Sequence, residues 1–88
     1  ALAALARQRG LLLVEDDPYS AFRFEGDPLP PLRAFDPTSV YLGTFSKTIA
    51  PGLRVGWIGA PQPLYDTLFR VKEVMSISND RIMPRVVF

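Results

Sequence analysis

A short apolar run, Leu11-Leu12-Leu13-Val14, narrows the fold more than any other stretch of this chain, because Gly10 stands before it and Glu15-Asp16-Asp17-Pro18 ends it abruptly. Four apolar residues between such breaks are too few for a helix. A continuous run of that length predicts a strand buried on both faces, as in a parallel sheet covered by helices. Ahead of it, Ala1 to Arg9 is rich in alanine and leucine, with Leu2 and Leu5 one turn apart. That segment reads as a helix ending at Gly10, with Arg7 and Arg9 near the carbonyl pole that favours cations.

The remaining chain continues the alternation. A short extended piece is expected at Ala21 to Phe24, and Pro28, Pro30, Pro31 and Pro37 discourage helix from Glu25 to Thr38. Ser39 to Gly43 is the second strand candidate, Pro51-Gly52 a turn, and Arg54 to Ala60 the third strand, where Gly56 and Gly59 allow close approach of another backbone. From Pro61 to Ile77, Leu64, Leu68, Val71 and Met75 recur at helical spacing and predict a helix with one buried stripe. Helix, strand, link, strand, loop, strand, helix is an α/β layer pattern. Ample chain separates the first two strands, so they can run parallel. Only about ten residues join the second to the third, short of a parallel crossover, so the third is predicted antiparallel. Asp16, Lys47 and Arg54 then gather along one sheet edge, the carboxyl edge where α/β proteins bind ligands.

Composition excludes several chemistries. The 88 residues suggest one small domain or a piece of a larger one, and the 48% hydrophobic content argues against disorder. A net charge of +1 gives no strong field for nucleic acid or anionic lipid. Without cysteine or histidine there is no disulfide, thiolate site or common zinc ligand, and no metal site is expected. No apolar run suffices to span a bilayer and no cleavable signal pattern is present, so a soluble, cytoplasmic protein is expected. The chain opens inside a helix and stops on Val86-Val87-Phe88, whereas domain boundaries usually fall in polar linkers. Residues 1–88 are therefore expected to be a single fragment of a longer polypeptide.

Two lysines occur. Lys72, beside Glu73 in the second helix, reads as a solvated charge. Lys47 follows a buried strand in a loop of small and polar residues. It is either a surface loop lysine or a nucleophilic amine, which needs desolvation or a nearby cation such as Arg54 to lose its proton. Glu15 and Asp17 read as caps of a following turn. Taken singly, Asp16 reads as another cap, Tyr19 as a half-buried aromatic, Arg54 as a strand-end cation, and Thr44 and Ser46 as loop hydroxyls. Their joint occurrence asks for more.

The segments Asp16-Asp17-Pro18-Tyr19 and Gly43-Thr44-Phe45-Ser46-Lys47-Thr48-Ile49-Ala50-Pro51-Gly52-Leu53-Arg54-Val55-Gly56-Trp57 resemble the two signature segments of fold-type I aminotransferases. The resemblance is strongest to the branch holding 2-aminoadipate aminotransferases and the aminotransferase-like domains of MocR-type regulators, and it extends to about Ile77. After that, Asn79-Asp80-Arg81 departs from the pattern. The resemblance implies part of a three-layer α/β/α large domain, its sheet mostly parallel with one antiparallel strand, and the cofactor pyridoxal 5'-phosphate. Lys47 would form the Schiff base with the cofactor and then move the substrate α-proton. Asp16 would pair with the pyridine nitrogen, which lets the ring act as an electron sink. Tyr19 would hydrogen-bond the ring's phenolic oxygen, Arg54 would grip the phosphate with its planar fork, and Thr44 and Ser46 would add hydroxyl donors there.

The activity implied is transfer of an amino group between an α-amino acid and a 2-oxo acid by a homodimer, with no nucleic acid or membrane bound through this segment. The family's phosphate-binding loop, ring-stacking aromatic and asparagine would lie upstream of Ala1, and the small domain with its carboxylate-binding arginine beyond Phe88. The isolated 88-residue piece is accordingly expected to be inactive. Alternatives on the same residues are a ligand-sensing domain of a MocR-type transcription regulator, or another pyridoxal-phosphate reaction such as a lyase or decarboxylase.

Overall fold

The computed structural model describes residues 1–75 together with Ile82 and Arg85. Helix α1 spans Leu2–Arg9. It ends as predicted at Gly10, whose left-handed backbone (φ 63°, ψ 29°) lets its own N–H reach Arg7 O and that of Leu11 reach Ala6 O, satisfying the last carbonyls. Ala3 and Ala6 are its buried residues. Strand β1 is Val14–Asp16, β2 is Val40–Thr44 and β3 is Gly56–Gly59. Helix α2, Gln62–Met75, starts after Pro61, whose carbonyl accepts the N–H groups of Leu64 and Tyr65.

The sheet order is β1-β2-β3. Strands β1 and β2 are parallel, with Val14 opposite Val40 and Asp16 opposite Leu42. Strands β2 and β3 are antiparallel, pairing Gly43 with Trp57 and Thr44 with Gly56. This is the mixed α/β sheet expected from the connection lengths: ten-odd residues cannot carry a chain back to the start of its neighbour.

The link from β1 to β2 is set by polar contacts. Ser20–Phe22 forms a 3₁₀ turn where an extended piece was expected, because the Asp17 carboxylate caps Ser20 N–H at 2.9 Å and bends the chain. A second 3₁₀ turn, Leu32–Ala34, is capped at long range by Glu15, whose Oε2 accepts Leu32 N–H at 2.8 Å. Buried Asp36 accepts both the N–H and the hydroxyl of Thr38, while Arg33 Nη1 donates to Ser39 O at 2.7 Å. Thr38 holds the Asp36 carboxyl below the usual carboxylate range. These contacts deliver buried Val40 to its pairing with β1.

Two burial expectations differ from the structure. Leu11, Leu12 and Val14 are exposed, and the strand runs from Val14 to Asp16 rather than from Leu11 to Val14, so Glu15 and Asp16 belong to it rather than ending it. On α2, Leu64 and Leu68 are half-buried but Val71 and Met75 are exposed, so the stripe is incompletely covered. The reason is that the described residues place no second layer over them. The chain forms a slab 41 × 37 × 15 Å with 7237 Å² of accessible surface, against about 5200 Å² for a compact monomer of this mass. An apolar run predicts burial only where something lies over it. Among the described residues no helix is long and apolar enough to cross a membrane. The last two residues of the predicted second helix, Ser76 and Ile77, and the Asn79-Asp80-Arg81 run lie outside the described residues.

Candidate functional site

Three consecutive acids leave β1, and the pleat sends them to alternate faces of the sheet. Glu15 and Asp17 share the face of Tyr41: Glu15 sits opposite Tyr41 in register, and Asp17 Oδ2 accepts the Tyr41 hydroxyl at 2.6 Å. Their predicted capping roles hold, at Leu32 and Ser20 respectively. Asp16 belongs to the other face, with Leu42. It is exposed, and among the described residues its carboxylate has no hydrogen-bond or ion-pair partner.

The loop after β2 is closed at its base by Phe45 N–H donating to Val55 O at 3.0 Å. Within it, Ile49 N–H and Ala50 N–H both reach Phe45 O, giving one helical turn around Lys47. A 3₁₀ turn at Pro51–Leu53 follows and ends on Arg54 in the left-handed region, φ 50° and ψ 32°. Lys47 therefore lies two residues inside one end of the closed loop and Arg54 one residue inside the other. Both are exposed and without a side-chain partner among the described residues. The end of β1, the end of β2 and the start of β3 share one sheet edge, which is the edge at which Asp16, Lys47 and Arg54 stand.

Tyr19 caps the Ser20–Phe22 turn with its carbonyl, accepting Phe22 N–H, and leaves its ring exposed three residues past Asp16. Thr44 differs from the simple donor the motif suggests. Its hydroxyl donates to Val55 O at 3.3 Å and accepts Ser46 N–H at 3.1 Å, so its one proton shapes the loop. The Ser46 hydroxyl has no such commitment among the described residues.

The sequence did not single out the aromatic pair on the opposite face. Tyr41 and Trp57 stack with ring centroids 5.0 Å apart at 29°. The Tyr41 hydroxyl, followed by Ser20, holds the Asp17 carboxyl below its ordinary range, and the same hydrogen bond to Asp17 raises the Tyr41 phenol. The one sequence signal for this pair was the strand pattern itself, since Tyr41 and Trp57 fall on the same face only once the register is known.

The family model for aminotransferase class I and II matches residues 1–87, beyond the Ile77 limit of the sequence resemblance. The chain belongs to the class I and II aminotransferase family. Aromatic-amino-acid aminotransferase 1 of Thermococcus litoralis is 49% identical over 61 residues, covering 67% of this chain and 15% of that protein. The HTH-type pyridoxine biosynthesis transcriptional regulator PdxR of Corynebacterium glutamicum is 42% identical over 76 residues, covering 85% of this chain and 17% of the regulator. Among solved structures, LysN, the alpha-aminoadipate aminotransferase of Thermus thermophilus complexed with N-(5'-phosphopyridoxyl)-L-leucine, superposes with a TM-score of 0.87 at 31% identity. That match covers 98% of this chain and 23% of LysN. The chain thus spans about a sixth of the two curated relatives. As an aminotransferase-family chain, it contributes both signature segments and the sheet edge that joins them.

Proposed function

We propose that these 88 residues form part of the cofactor-binding domain of a pyridoxal-phosphate aminotransferase moving an amino group between an α-amino acid and a 2-oxo acid. One observation carries the reading. An acid and two cations, Asp16, Lys47 and Arg54, stand at one sheet edge, and none of them is paired among the described residues. Opposite charges left unpaired at a common edge fit a ligand carrying both a basic ring nitrogen and an anionic phosphate.

The donor set fits the cofactor group by group. The Lys47 amine is the group that can bond covalently to its carbonyl and then carry the substrate α-proton. The Asp16 carboxylate would keep the ring nitrogen protonated, and the Tyr19 hydroxyl would donate to the ring's phenolic oxygen. The Arg54 fork suits the phosphate dianion, with the Ser46 hydroxyl beside it. Thr44 would reach the phosphate only by giving up Val55, and otherwise serves by shaping the loop. When bound, pyridoxal phosphate supplies an electron-withdrawing ring that accepts the electron pair left by the departing proton. A cytoplasmic homodimer is part of the same reading.

The test is borohydride reduction of the full-length protein in the presence of pyridoxal phosphate, followed by peptide mapping. The label is expected on Lys47 and is expected to vanish in Lys47→Ala. Labelling at Lys72, or none at all, would refute the assignment. The likeness to the regulator PdxR supports a second reading, a ligand-sensing domain with the same cofactor site. Net amino transfer from an amino acid to a 2-oxo acid favours the enzyme. A labelled Lys47 without turnover favours the sensor, and release of carbon dioxide or ammonia favours a decarboxylase or lyase.

A further inference from the structure

Asp17 is tied at three points immediately after Asp16. Its N–H donates to Leu42 O at 3.0 Å, its Oδ2 accepts the Tyr41 hydroxyl at 2.6 Å, and its Oδ1 accepts Ser20 N–H at 2.9 Å. The last contact reaches past Tyr19, so Asp17 is the hub of the short segment that carries Asp16 at its start. Pro18, with its fixed φ, leaves few soft torsions in between. Tyr41 is in turn oriented from behind. Its ring stacks on Trp57, and Trp57 lies across β2 where Gly43 has no side chain.

We infer that Tyr41 is a positioning residue, holding Asp16 in its cofactor-facing posture through Asp17 from the opposite face of the sheet. The inference rests on the cofactor roles proposed above. Two adjacent carboxylates could otherwise compete for one ring nitrogen. The pleat separates them, and the Tyr41 hydroxyl anchors Asp17 on the far face so that Asp16 alone is presented. The ionisable groups around this contact are Glu15, opposite Tyr41 and engaged with Leu32 N–H, and Tyr19 and Arg23, which line the same cleft. Arg23 is turned to Glu25 O at 2.9 Å rather than to Asp17.

The test is Tyr41→Phe in the full-length protein loaded with pyridoxal phosphate, which removes the hydroxyl and keeps the ring on Trp57. The readout is the pH midpoint of the bound cofactor's visible absorbance, together with cofactor affinity. A loosened Asp16 favours the ring's nitrogen-protonated form less. The midpoint is therefore expected to rise by roughly half a pH unit, and affinity to fall by about three- to tenfold, the scale of one hydrogen bond. Asp17→Asn, close in shape but uncharged, is expected to shift the midpoint the same way, so the result does not hang on one variant folding. Glu15→Ala, which loses only the cap at Leu32, is expected to lower melting temperature without moving the midpoint. A wild-type midpoint in both Tyr41→Phe and Asp17→Asn would overturn the positioning role alone. Absence of any cofactor absorbance in the wild-type protein would overturn the cofactor reading and this inference with it.

Discussion

Gly43 and Trp57 face each other across β2 and β3, and the indole fills the space that a side chain on Gly43 would need. A β-carbon at that position would overlap Cε2, Cζ2 and Nε1 of the ring. Gly43 does not have the positive φ seen at Gly10 and Gly26, so room rather than backbone freedom explains the glycine that opens the lysine-bearing segment. Gly43→Ala is expected to destabilise the protein by about 1–3 kcal/mol, the usual cost of overpacking. In a Trp57→Ala background that cost should shrink to about 0.5 kcal/mol or less. Urea unfolding of the four proteins of this cycle measures both, and an undiminished penalty without the indole would show that the ring is not what excludes a side chain.

The Asp17–Tyr41 hydrogen bond predicts a stability window in pH. The Asp17 carboxyl is lower folded than unfolded, so as pH falls the unfolded chain takes up the proton first. That contribution is whole above the unfolded value of about 3.9 and is lost as pH drops through the folded one. The Tyr41 phenol is higher folded than unfolded, so as pH rises the unfolded chain loses its proton first. Its contribution is whole below about 10 and is lost as pH climbs through the folded value. The stability difference between wild type and Tyr41→Phe should therefore be flat near neutrality and shrink at both extremes. Denaturation across that range measures it, and a difference constant with pH would contradict the bond.

Arg54 is the sole non-glycine with positive φ among the described residues, a conformation that costs an L-residue about 1–2 kcal/mol. Arg54→Gly relieves this cost but adds freedom to the unfolded chain. Cofactor-free stability is expected to change by between zero and about +1 kcal/mol. Pyridoxal-phosphate affinity should fall about 10- to 100-fold, as a charge-assisted pair is lost. Arg54→Lys keeps the strained backbone and should lose affinity without gaining stability. Thermal melts of the cofactor-free proteins and fluorescence titration with pyridoxal phosphate separate the two effects.

Asp16→Asn should retain cofactor, because Lys47 and Arg54 are untouched, yet lose turnover by about two orders of magnitude or more. The comparison is borohydride labelling against steady-state rate on the full-length protein. Full turnover in the Asp16→Asn variant would remove Asp16 from its assigned role.

The facing ends of the two helices and the direction of β3 were legible because they are written locally. Gly10 closes α1, Pro61 opens α2, and the short connection after Gly43 forces β3 to run back along β2. The lysine-to-arginine segment was equally local, and it led to the family. Burial was not legible: Leu11 and Leu12 look like core, but a core residue needs a layer above it, and the described residues supply none there.

The sequence by itself determined which groups the chain owns, where both helices begin and roughly where the second and third strands lie, since periodicity, turn residues and motif spacing are properties of neighbours along the backbone. Only the tertiary structure decided that Asp16 and Asp17 face opposite ways, that the hydroxyl of Tyr41, 24 residues on, donates to the Asp17 carboxylate, and that Thr44 gives its proton to Val55. Those outcomes depend on strand register, and a shift of one residue would reverse every face. Register is fixed by how strands from distant parts of the chain meet, which no local pattern contains.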